Sequence, residues 1–313
     1  MPGKGIVAVV GAGLVGSGWA LVFARAGYTV RAHDPSAEVR ARILPWAQES
    51  LTELKAAGVI DNPQDVLSRI SVHDSLAGAL DGAFYVQESV FETVAAKTEV
   101  SLAIDALMAE TAIVGSSSSG IPASQFTETC RNRARFLIAH PVNPPHLVPV
   151  VELVPAPWTD PELVEQVADL MREVEQVPVR LTREIEGFVL NRLQGVLLNE
   201  AWALYQDGIA SLADIDATIA HGLGLRWSYM GPFETIDLNA PGGIEDYAAR
   251  LRGLYAGMVR MPPPGPWPDE VIQKATAERR AVLPVEDLAG RRAWRDAVLG
   301  RLAAFKKSLR IPA

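Results

Sequence analysis

Residues 6–18 read IVAVVGAGLVGSG and join a short apolar run to a turn with three glycines in the pattern G-x-G-x-x-G. The run Ile6–Val10 is β-branched and uncharged, as expected for a strand buried on both faces of a parallel sheet. A helical pattern occupies residues 14–26, and Gly27 ends it. The glycine pattern alone is weak evidence, because glycine is common. A strand before it and a helix after it make it a candidate phosphate-binding turn.

Each glycine of this turn has a physical role. Gly11 permits the tight bend, Gly13 lets the backbone approach a pyrophosphate, and Gly16 lets the helix pack close to the strand. The first N–H groups of the helix then face the phosphates. These residues therefore predict a dinucleotide-binding turn.

An acidic residue follows at the distance that such a turn requires. Asp34 lies 23 residues after Gly11, at the end of a second predicted strand. A carboxylate there accepts hydrogen bonds from both hydroxyls of an adenosine ribose and repels a 2′-phosphate. Pro35 and Ser36 follow it, where an NADP-binding chain places arginine, so the sequence favours NAD as the cofactor.

Strands and helices alternate through the first half of the chain. Further strands are predicted at residues 70–72, 82–86, 112–115, 136–139, 150–154 and 177–181. Helices are predicted at residues 37–57, 92–108 and 161–174. Pro45 is expected to interrupt the first of these helices, and a capping box of Thr159 and Glu162 is expected to begin the last. Helices between strands indicate βαβ units with right-handed crossovers.

Only helical patterns remain after about residue 183. They lie at residues 188–206, 212–220, 244–259, 268–281 and 285–309, with a possible break at Gly290. The predicted fold class is α/β: a Rossmann-type, doubly wound, mostly parallel sheet in an NAD-binding domain (residues 1–184), followed by an all-helical domain (residues 185–313) for substrate binding and dimerisation.

Composition narrows the class of protein. The 313 residues hold 29 Lys and Arg against 37 Asp and Glu, a net charge of −8, and 49% are hydrophobic. About two domains are expected at this length. The acidic balance argues against nucleic acid and anionic membranes as partners. The single cysteine excludes a disulfide framework and a multi-cysteine zinc site, so no metal is expected and a reducing cytoplasm suits the chain.

One uncharged stretch resembles a membrane span or signal peptide. Residues 5–24 carry no charge. Five glycines split the stretch into the strand and helix described above: Gly5, Gly11, Gly13, Gly16 and Gly18. We therefore expect no membrane association.

His140 is the strongest catalytic candidate among the five histidines. It ends the apolar run 136–139, at the carboxyl edge of a parallel sheet where ligands bind. Oxidation of an alcohol by hydride transfer needs a base for the hydroxyl proton, and a neutral imidazole suits that role. Glu152 is a lone charge inside the next apolar strand, which is costly unless it is paired. The sequence favours a His140–Glu152 pair over a Glu152 that faces water.

Two further polar residues could have either a functional or a structural role. Ser119 ends a serine run at a strand's carboxyl edge, either as a donor to the substrate oxygen or as part of a flexible loop. Asn191 lies in an otherwise apolar helix face, either as a second donor or as a helix-to-helix contact.

The chain resembles the 3-hydroxyacyl-CoA dehydrogenase superfamily over nearly its whole length, and within it the lambda-crystallin branch, whose mammalian members are L-gulonate 3-dehydrogenases. The stretches that carry the resemblance are GAGLVGSGWA (11–20), SSSSGIP (116–122), AHPVNPPHLVPVVELVP (139–155), EIEGFVLNRLQ (184–194), GLGLRWSYMGPFETIDLN (222–239) and RRAWRDAVLGRL (291–302). The last two distinguish this branch from the acyl-CoA enzymes.

The resemblance implies a role for several residues. It implies His140 as the catalytic base with Glu152 as its partner, and Ser119 and Asn191 as donors to the substrate. It also implies cofactor contacts from Asp34, Glu92, Lys97 and Asn143, the last near the nicotinamide, and homodimers formed through the helical domain.

The expected activity is NAD-dependent oxidation of the C3 hydroxyl of a small 3-hydroxy acid, with L-gulonate as the leading substrate. Arg226 is a candidate for binding the substrate carboxylate; otherwise it stacks on Trp227 or pairs with Asp237. L-carnitine dehydrogenase and short-chain 3-hydroxyacyl-CoA dehydrogenase are the alternative activities. A non-catalytic, crystallin-like structural role is the alternative of another class.

Overall fold

The computed structural model describes residues 4–258 and 267–309. The chain divides into two compact units. The first comprises the residues up to Arg192 together with Trp294–Ser308, and the second comprises the described residues between Leu193 and Ala293. The predicted domain boundary between residues 184 and 185 stays a prediction.

A single eight-stranded sheet forms the centre of the first unit. Its strands are β1 (Ile6–Val10), β2 (Thr29–His33), β3 (Ile70–Val72), β4 (Ala83–Glu88), β5 (Ile113–Ser116), β6 (Phe136–Pro141), β7 (Val150–Pro155) and β8 (Val177–Arg180). They lie in the order β3-β2-β1-β4-β5-β6-β7-β8. Neighbours are parallel except β6 and β7, which are antiparallel. The predicted mostly parallel, Rossmann-type sheet is confirmed, with each of its eight strands.

Helices of the first unit bury both faces of this sheet. They are α1 (Leu14–Arg25), α2 (Ala37–Ala56), α3 (Pro63–Leu67), α4 (Leu76–Leu80), α5 (Val94–Leu107), α6 (Ser124–Thr127) and α7 (Pro161–Glu173). Along β1, Val7 and Val9 join a cluster with residues of α1, α2 and α7, whereas Ala8 and Val10 join one with residues of α4 and α5. This alternation places apolar side chains on both faces, which is why β1 has no polar position.

The helical pattern predicted after residue 183 is also confirmed. The helices are α8 (Leu190–Gln206), α9 (Leu212–Thr218), α10 (Gly224–Trp227), α11 (Pro232–Leu238), α12 (Gly243–Gly257), α13 (Asp269–Val282) and α14 (Leu288–Ser308), and a π-helical turn, Ile219–Leu223, joins α9 to α10. No strand occurs among the described residues beyond Arg180. None of the helices in residues 4–258 and 267–309 has the length and apolar composition of a membrane span. The end of the helix predicted at residues 244–259 lies outside the described residues.

The predicted capping box before α7 is wrong. Asp160 is the N-cap, and its carboxylate accepts the backbone N–H of Glu162 at 3.0 Å. Thr159 instead donates its hydroxyl to the carbonyl of Phe136 at 2.6 Å and accepts the N–H of Ala156 at 2.9 Å. Thr159 therefore ties the loop after β7 to β6, a long-range role that the local spacing does not reveal.

Three other local predictions differ from the structure. Helix α2 continues through Pro45, since one lost backbone donor is offset by a buried face that includes Ile43 and Leu51. Helix α14 continues through Gly290. Helix α5 begins at Val94 rather than at Glu92, because the hydroxyl of Thr93 caps it. Glu92 thus lies in the loop between β4 and α5.

Candidate active site

The glycine turn has the geometry of a phosphate-binding turn. Gly11 has φ +87°, and a Cβ there would lie 2.6 Å from the carbonyl carbon and oxygen of Ser89. A Cβ on Gly16 would lie 1.9 Å from the carbonyl oxygen of Gly11. Gly13, the N-cap of α1, has no atom within 4 Å of such a Cβ. The close approaches require Gly11 and Gly16, and the open side at Gly13 fits a pyrophosphate at the N-terminus of α1.

Asp34 follows β2 beside this turn. Its Oδ2 accepts the backbone N–H of Ala12 at 3.0 Å, and its Oδ1 accepts the N–H of Ser36 at 2.9 Å. The carboxylate therefore fixes the glycine turn, and its remaining acceptor capacity suits ribose hydroxyls. Gly11, Gly13, Gly16 and Asp34 together fit NAD.

His140 and Glu152 form a buried pair across the antiparallel strands β6 and β7. They are register partners, so their side chains lie on the same face of the sheet. The Nδ1 of His140 lies 2.8 Å from Oε2 of Glu152, and both residues are buried. Since a carboxylate only accepts, Nδ1 carries the proton, and Nε2 is left for proton transfer.

The start of helix α8 holds Glu152 in its ionised form. Oε1 of Glu152 accepts the backbone N–H groups of Val189 at 2.8 Å and Leu190 at 2.9 Å. Burial opposes ionisation, but the hydrogen bonds from His140 and these two N–H groups outweigh it and hold the pKa of Glu152 below its ordinary value. Glu152 is therefore a carboxylate at neutral pH.

A left-handed turn brings those N–H groups to Glu152. Gly187 has φ +73° and Phe188 has φ +51°. A non-glycine residue in this region costs about 1–3 kcal/mol of strain, so the surrounding structure must impose it. Phe188 is fully buried, and its ring lies 5.7 Å from the imidazole of His140, centroid to centroid. Packing of Phe188 thus fixes both the turn and one side of the imidazole.

The serine run after β5 is an ordered structure rather than a flexible loop. Ser116 donates to Glu88, and Ser117 accepts the amide of Gln87 at 2.8 Å. The hydroxyl of Ser118 and the backbone N–H of Ser119 each donate to Oε1 of Glu92 at 2.8 Å. Each of the four serines is therefore held by a hydrogen bond, and Ser118 and Ser119 share Oε1 of Glu92.

Ser119, Asn191 and Glu92 lie together at this run. The side-chain amide of Asn191 donates to the backbone carbonyl of Ser119 at 2.6 Å. The hydroxyl of Ser119 lies 3.3 Å from Oε1 of Glu92. Glu92, expected as a cofactor contact, is therefore also the acceptor that holds the loop.

The two remaining candidate cofactor contacts of the first unit differ in exposure. Asn143 is exposed in the loop between β6 and β7. Lys97 is fully buried, with its Nζ 3.2 Å from both carboxylate oxygens of Glu88. The ammonium of Lys97 thus lies inside the fold, and its contact with NAD stays a prediction.

Arg226 lies in the second unit, in helix α10, and its side chain is exposed. Asp237, one of its alternative partners, accepts the backbone N–H of Ile244 at 2.8 Å. The predicted role of Arg226 in carboxylate binding stays a prediction.

Sequence reasoning missed Glu88. Like Glu152, it is a charge in a mostly apolar strand, AFYVQE, and it is 1% exposed. The argument that identified Glu152, that such a charge needs a partner, applies equally to Glu88.

Comparisons with known proteins identify the family of the chain. The family model for the 3-hydroxyacyl-CoA dehydrogenase NAD binding domain matches residues 6–185, and that for the C-terminal domain matches residues 187–282. Lambda-crystallin of Oryctolagus cuniculus is 35% identical over 98% of both chains. L-carnitine dehydrogenase of Bacillus cereus is 34% identical over 74% of this chain and 71% of the relative.

A solved structure extends the likeness to three dimensions. The NAD+ dependent dismutase FHMPC 5-dehydrogenase superposes with a TM-score of 0.80 at 26% identity, over 96% of this chain and 98% of the other. With both family domains matched and near full-length relatives above 30% identity, the chain belongs to the lambda-crystallin branch of the 3-hydroxyacyl-CoA dehydrogenase superfamily and is an NAD-dependent oxidoreductase that acts on CH–OH groups.

Proposed function

We propose that the protein oxidises the C3 hydroxyl of a small, free 3-hydroxy acid, with L-gulonate as the leading substrate. The observation that carries the chemistry is the buried His140–Glu152 pair, 2.8 Å apart, with Glu152 held by the backbone at the start of α8. L-gulonate is the substrate implied by the resemblance to the lambda-crystallin branch.

In this proposal His140 is the general base. Its Nε2 accepts the hydroxyl proton of the substrate, and the charge that develops on the ring is stabilised by Glu152 at Nδ1. Glu152 also fixes the tautomer, because it accepts the proton on Nδ1. Bound NAD supplies the hydride acceptor. The turn of Gly11, Gly13 and Gly16 holds its phosphates, Asp34 its ribose, and Glu92, Lys97 and Asn143 contribute further contacts.

Ser119 and Asn191 orient the substrate oxygen. The amide of Asn191 has two N–H donors, and the contact with the carbonyl of Ser119 uses one of them. The second N–H of Asn191 is one donor assigned to the substrate. The other is the Ser119 hydroxyl, which would turn its one O–H from Glu92, 3.3 Å away, to the substrate oxygen. Donors fixed before substrate arrives lower the cost of orienting the reacting hydroxyl.

Arg226 is the residue assigned to the substrate carboxylate. A guanidinium binds a carboxylate through two parallel hydrogen bonds, and the exposed side chain of Arg226 is available for such a contact. A free acid offers this carboxylate, whereas a CoA thioester does not. The proposal of a free 3-hydroxy acid rather than an acyl-CoA therefore depends on this role of Arg226.

L-carnitine is the second candidate substrate. Trp227 and Tyr229, close to Arg226 in the sequence, have exposed rings, and aromatic faces bind quaternary ammonium groups. The L-carnitine dehydrogenase among the relatives supports the same alternative. A short-chain 3-hydroxyacyl-CoA is the third candidate substrate.

A non-catalytic role is the candidate of another class, since relatives carry the name lambda-crystallin. The intact His140–Glu152 pair argues against it, because a buried ionisable pair is costly to keep without a use.

The deciding experiment measures NADH formation by purified protein with L-gulonate, L-carnitine or 3-hydroxybutyryl-CoA. We expect the highest kcat/KM with L-gulonate. A higher value with either other compound would replace the proposed substrate. No turnover with any of them, in protein that still binds NADH, would favour the structural role.

We further propose a cytoplasmic homodimer. Large apolar side chains are exposed on helices of the second unit, among them Val196, Phe233 and Leu254, and a second copy of the chain would cover such a surface. Sedimentation equilibrium should give twice the monomer mass of 33.7 kDa. A reducing compartment suits the one cysteine, Cys130, which is buried and free.

A further inference from the structure

A buried ion pair lies directly beneath the serine run. The side chains of Glu88 and Lys97 are each 1% exposed, and Nζ lies 3.2 Å from both oxygens of Glu88. Glu88 also accepts the hydroxyl of Ser116 and, at 2.6 Å, the backbone N–H of Val90. Glu88 therefore joins the end of β4, the end of β5 and helix α5.

Lys97 connects this pair to a second carboxylate. Its Nζ lies 3.7 Å from Oε2 of Glu92. The other oxygen of Glu92 accepts Ser118 Oγ at 2.8 Å, Ser119 N at 2.8 Å and Gly120 N at 3.1 Å. One ammonium thus lies between two carboxylates, and without it the carboxylates would face each other as like charges.

The far end of this network is the predicted substrate-binding residue. Glu92 holds the backbone N–H of Ser119, and Asn191 holds its carbonyl at 2.6 Å. Burial opposes the ionisation of Glu92, but the Ser118 hydroxyl, the charge of Lys97 and the N–H groups of Gly120 and Ser119 together lower its pKa. Glu92 therefore stays ionised and able to hold the loop.

We propose that Glu88 is a positioning residue: it holds Lys97 beneath the serine run, Lys97 fixes Glu92, and Glu92 places Ser119 for the substrate. The role of Ser119 toward the substrate rests on the proposed function. In this scheme Glu88 acts only through Lys97 and Glu92, and Glu92 orders the loop in addition to any contact with NAD.

The test compares Glu88→Gln with Asp105→Asn by amide hydrogen exchange, read at single residues by NMR. Asp105 is a matched control: it is buried on the same helix, α5, and accepts the backbone N–H groups of Arg131 and Asn132 at 2.6 and 3.0 Å. No substrate is needed, so this readout stands even where the proposed function fails.

We expect Glu88→Gln to speed exchange at Ser119 and Gly120 about tenfold and to leave the Arg131 and Asn132 amides unchanged. Asp105→Asn should speed exchange at the Arg131 and Asn132 amides and leave Ser119 and Gly120 unchanged. Unchanged exchange at Ser119 and Gly120 in Glu88→Gln, or equal acceleration at both places, overturns the proposal.

Where Glu88→Gln does not fold, the double variant Glu88→Gln/Lys97→Met replaces the pair by two neutral side chains, a change that buried ion pairs often tolerate. It should show the same loosening at Ser119 and Gly120, since Glu92 has lost its cation. Wild-type exchange there would equally refute the scheme. With an active substrate in hand, kcat should fall about tenfold in Glu88→Gln, a residue with no assigned contact to NAD, and stay within about twofold of wild type in Asp105→Asn.

Discussion

Replacing Glu152 by Gln tests the proposed chemistry at its centre. The two N–H groups of Val189 and Leu190 both donate to Oε1, so the Gln carbonyl takes that place. The Gln amide nitrogen then faces Nδ1 of His140, where the carboxylate was 2.8 Å away. Because an amide nitrogen only donates, Nδ1 must accept, and the imidazole proton moves to Nε2. The base then holds the wrong tautomer.

The expected loss of reaction rate follows from this change of tautomer. A positioned general base contributes about 10²- to 10⁴-fold to the rate. At about 1.4 kcal/mol per tenfold, the barrier should rise by about 3–5 kcal/mol. Since the variant keeps the backbone contacts of residue 152, its melting temperature should change far less than its activity.

The assay is the single-turnover rate of NADH appearance with the best substrate of the screen, alongside the Kd for NADH. Glu165→Gln is the control, because it removes only the exposed ion pair with Arg180, worth at most about 1 kcal/mol. His140→Ala should lose as much rate as Glu152→Gln, since the two residues act as a unit. A Glu152→Gln rate within about threefold of wild type, a barrier change below about 1 kcal/mol, would refute the assignment.

Three further predictions concern cofactor, stability and substrate. Gly13→Ala should fold normally but weaken NADH binding at least about tenfold in a fluorescence titration, whereas Gly16→Ala should lower the melting temperature, because its Cβ would meet the carbonyl of Gly11. Burial, with the charge of Arg25, lowers the pKa of His146 from 6.5 to about 4. Between these two pH values the imidazole is therefore protonated in the unfolded state and neutral in the folded state. The free energy of unfolding should therefore fall by up to about 3 kcal/mol between pH 6.5 and 4, and urea melts of His146→Gln should lack this part of the fall. Arg226→Lys should lower kcat/KM for the free acid about tenfold; an unchanged value removes the carboxylate role.

The strands were predictable because most of them are apolar runs between turn residues, although β2 contains Arg31. Parallel strands buried on both faces cannot alternate with polar residues, and Ile6–Val10 shows this directly. The short helices Pro63–Leu67 and Pro232–Leu238 were not predicted. Five to seven residues span at most two turns, too few for a helical period to show.

The contact of His140 with Glu152 was also predictable, although the catalytic role of the pair stays a prediction. A lone carboxylate in an apolar strand needs a partner, and the histidine at the end of the preceding strand was the nearest suitable group. The same argument applies to Glu88, whose partner Lys97 lies in the helical pattern predicted at residues 92–108. Its burial depends on the loop that covers it, and nothing in the local pattern of α5 shows that loop.

The start of α8 could not be predicted, because its geometry depends on contacts distant in the sequence. The left-handed Phe188 is held by packing against His140, 48 residues earlier. Val189 and Leu190 then bind Glu152, and the next residue, Asn191, binds the carbonyl of Ser119, 72 residues earlier. Three consecutive residues thus connect the partner of the proposed base to the proposed substrate donors. A disturbance at Phe188 should therefore displace the N–H groups that hold Glu152 and the side-chain amide of Asn191 together, since they belong to three consecutive residues that follow it.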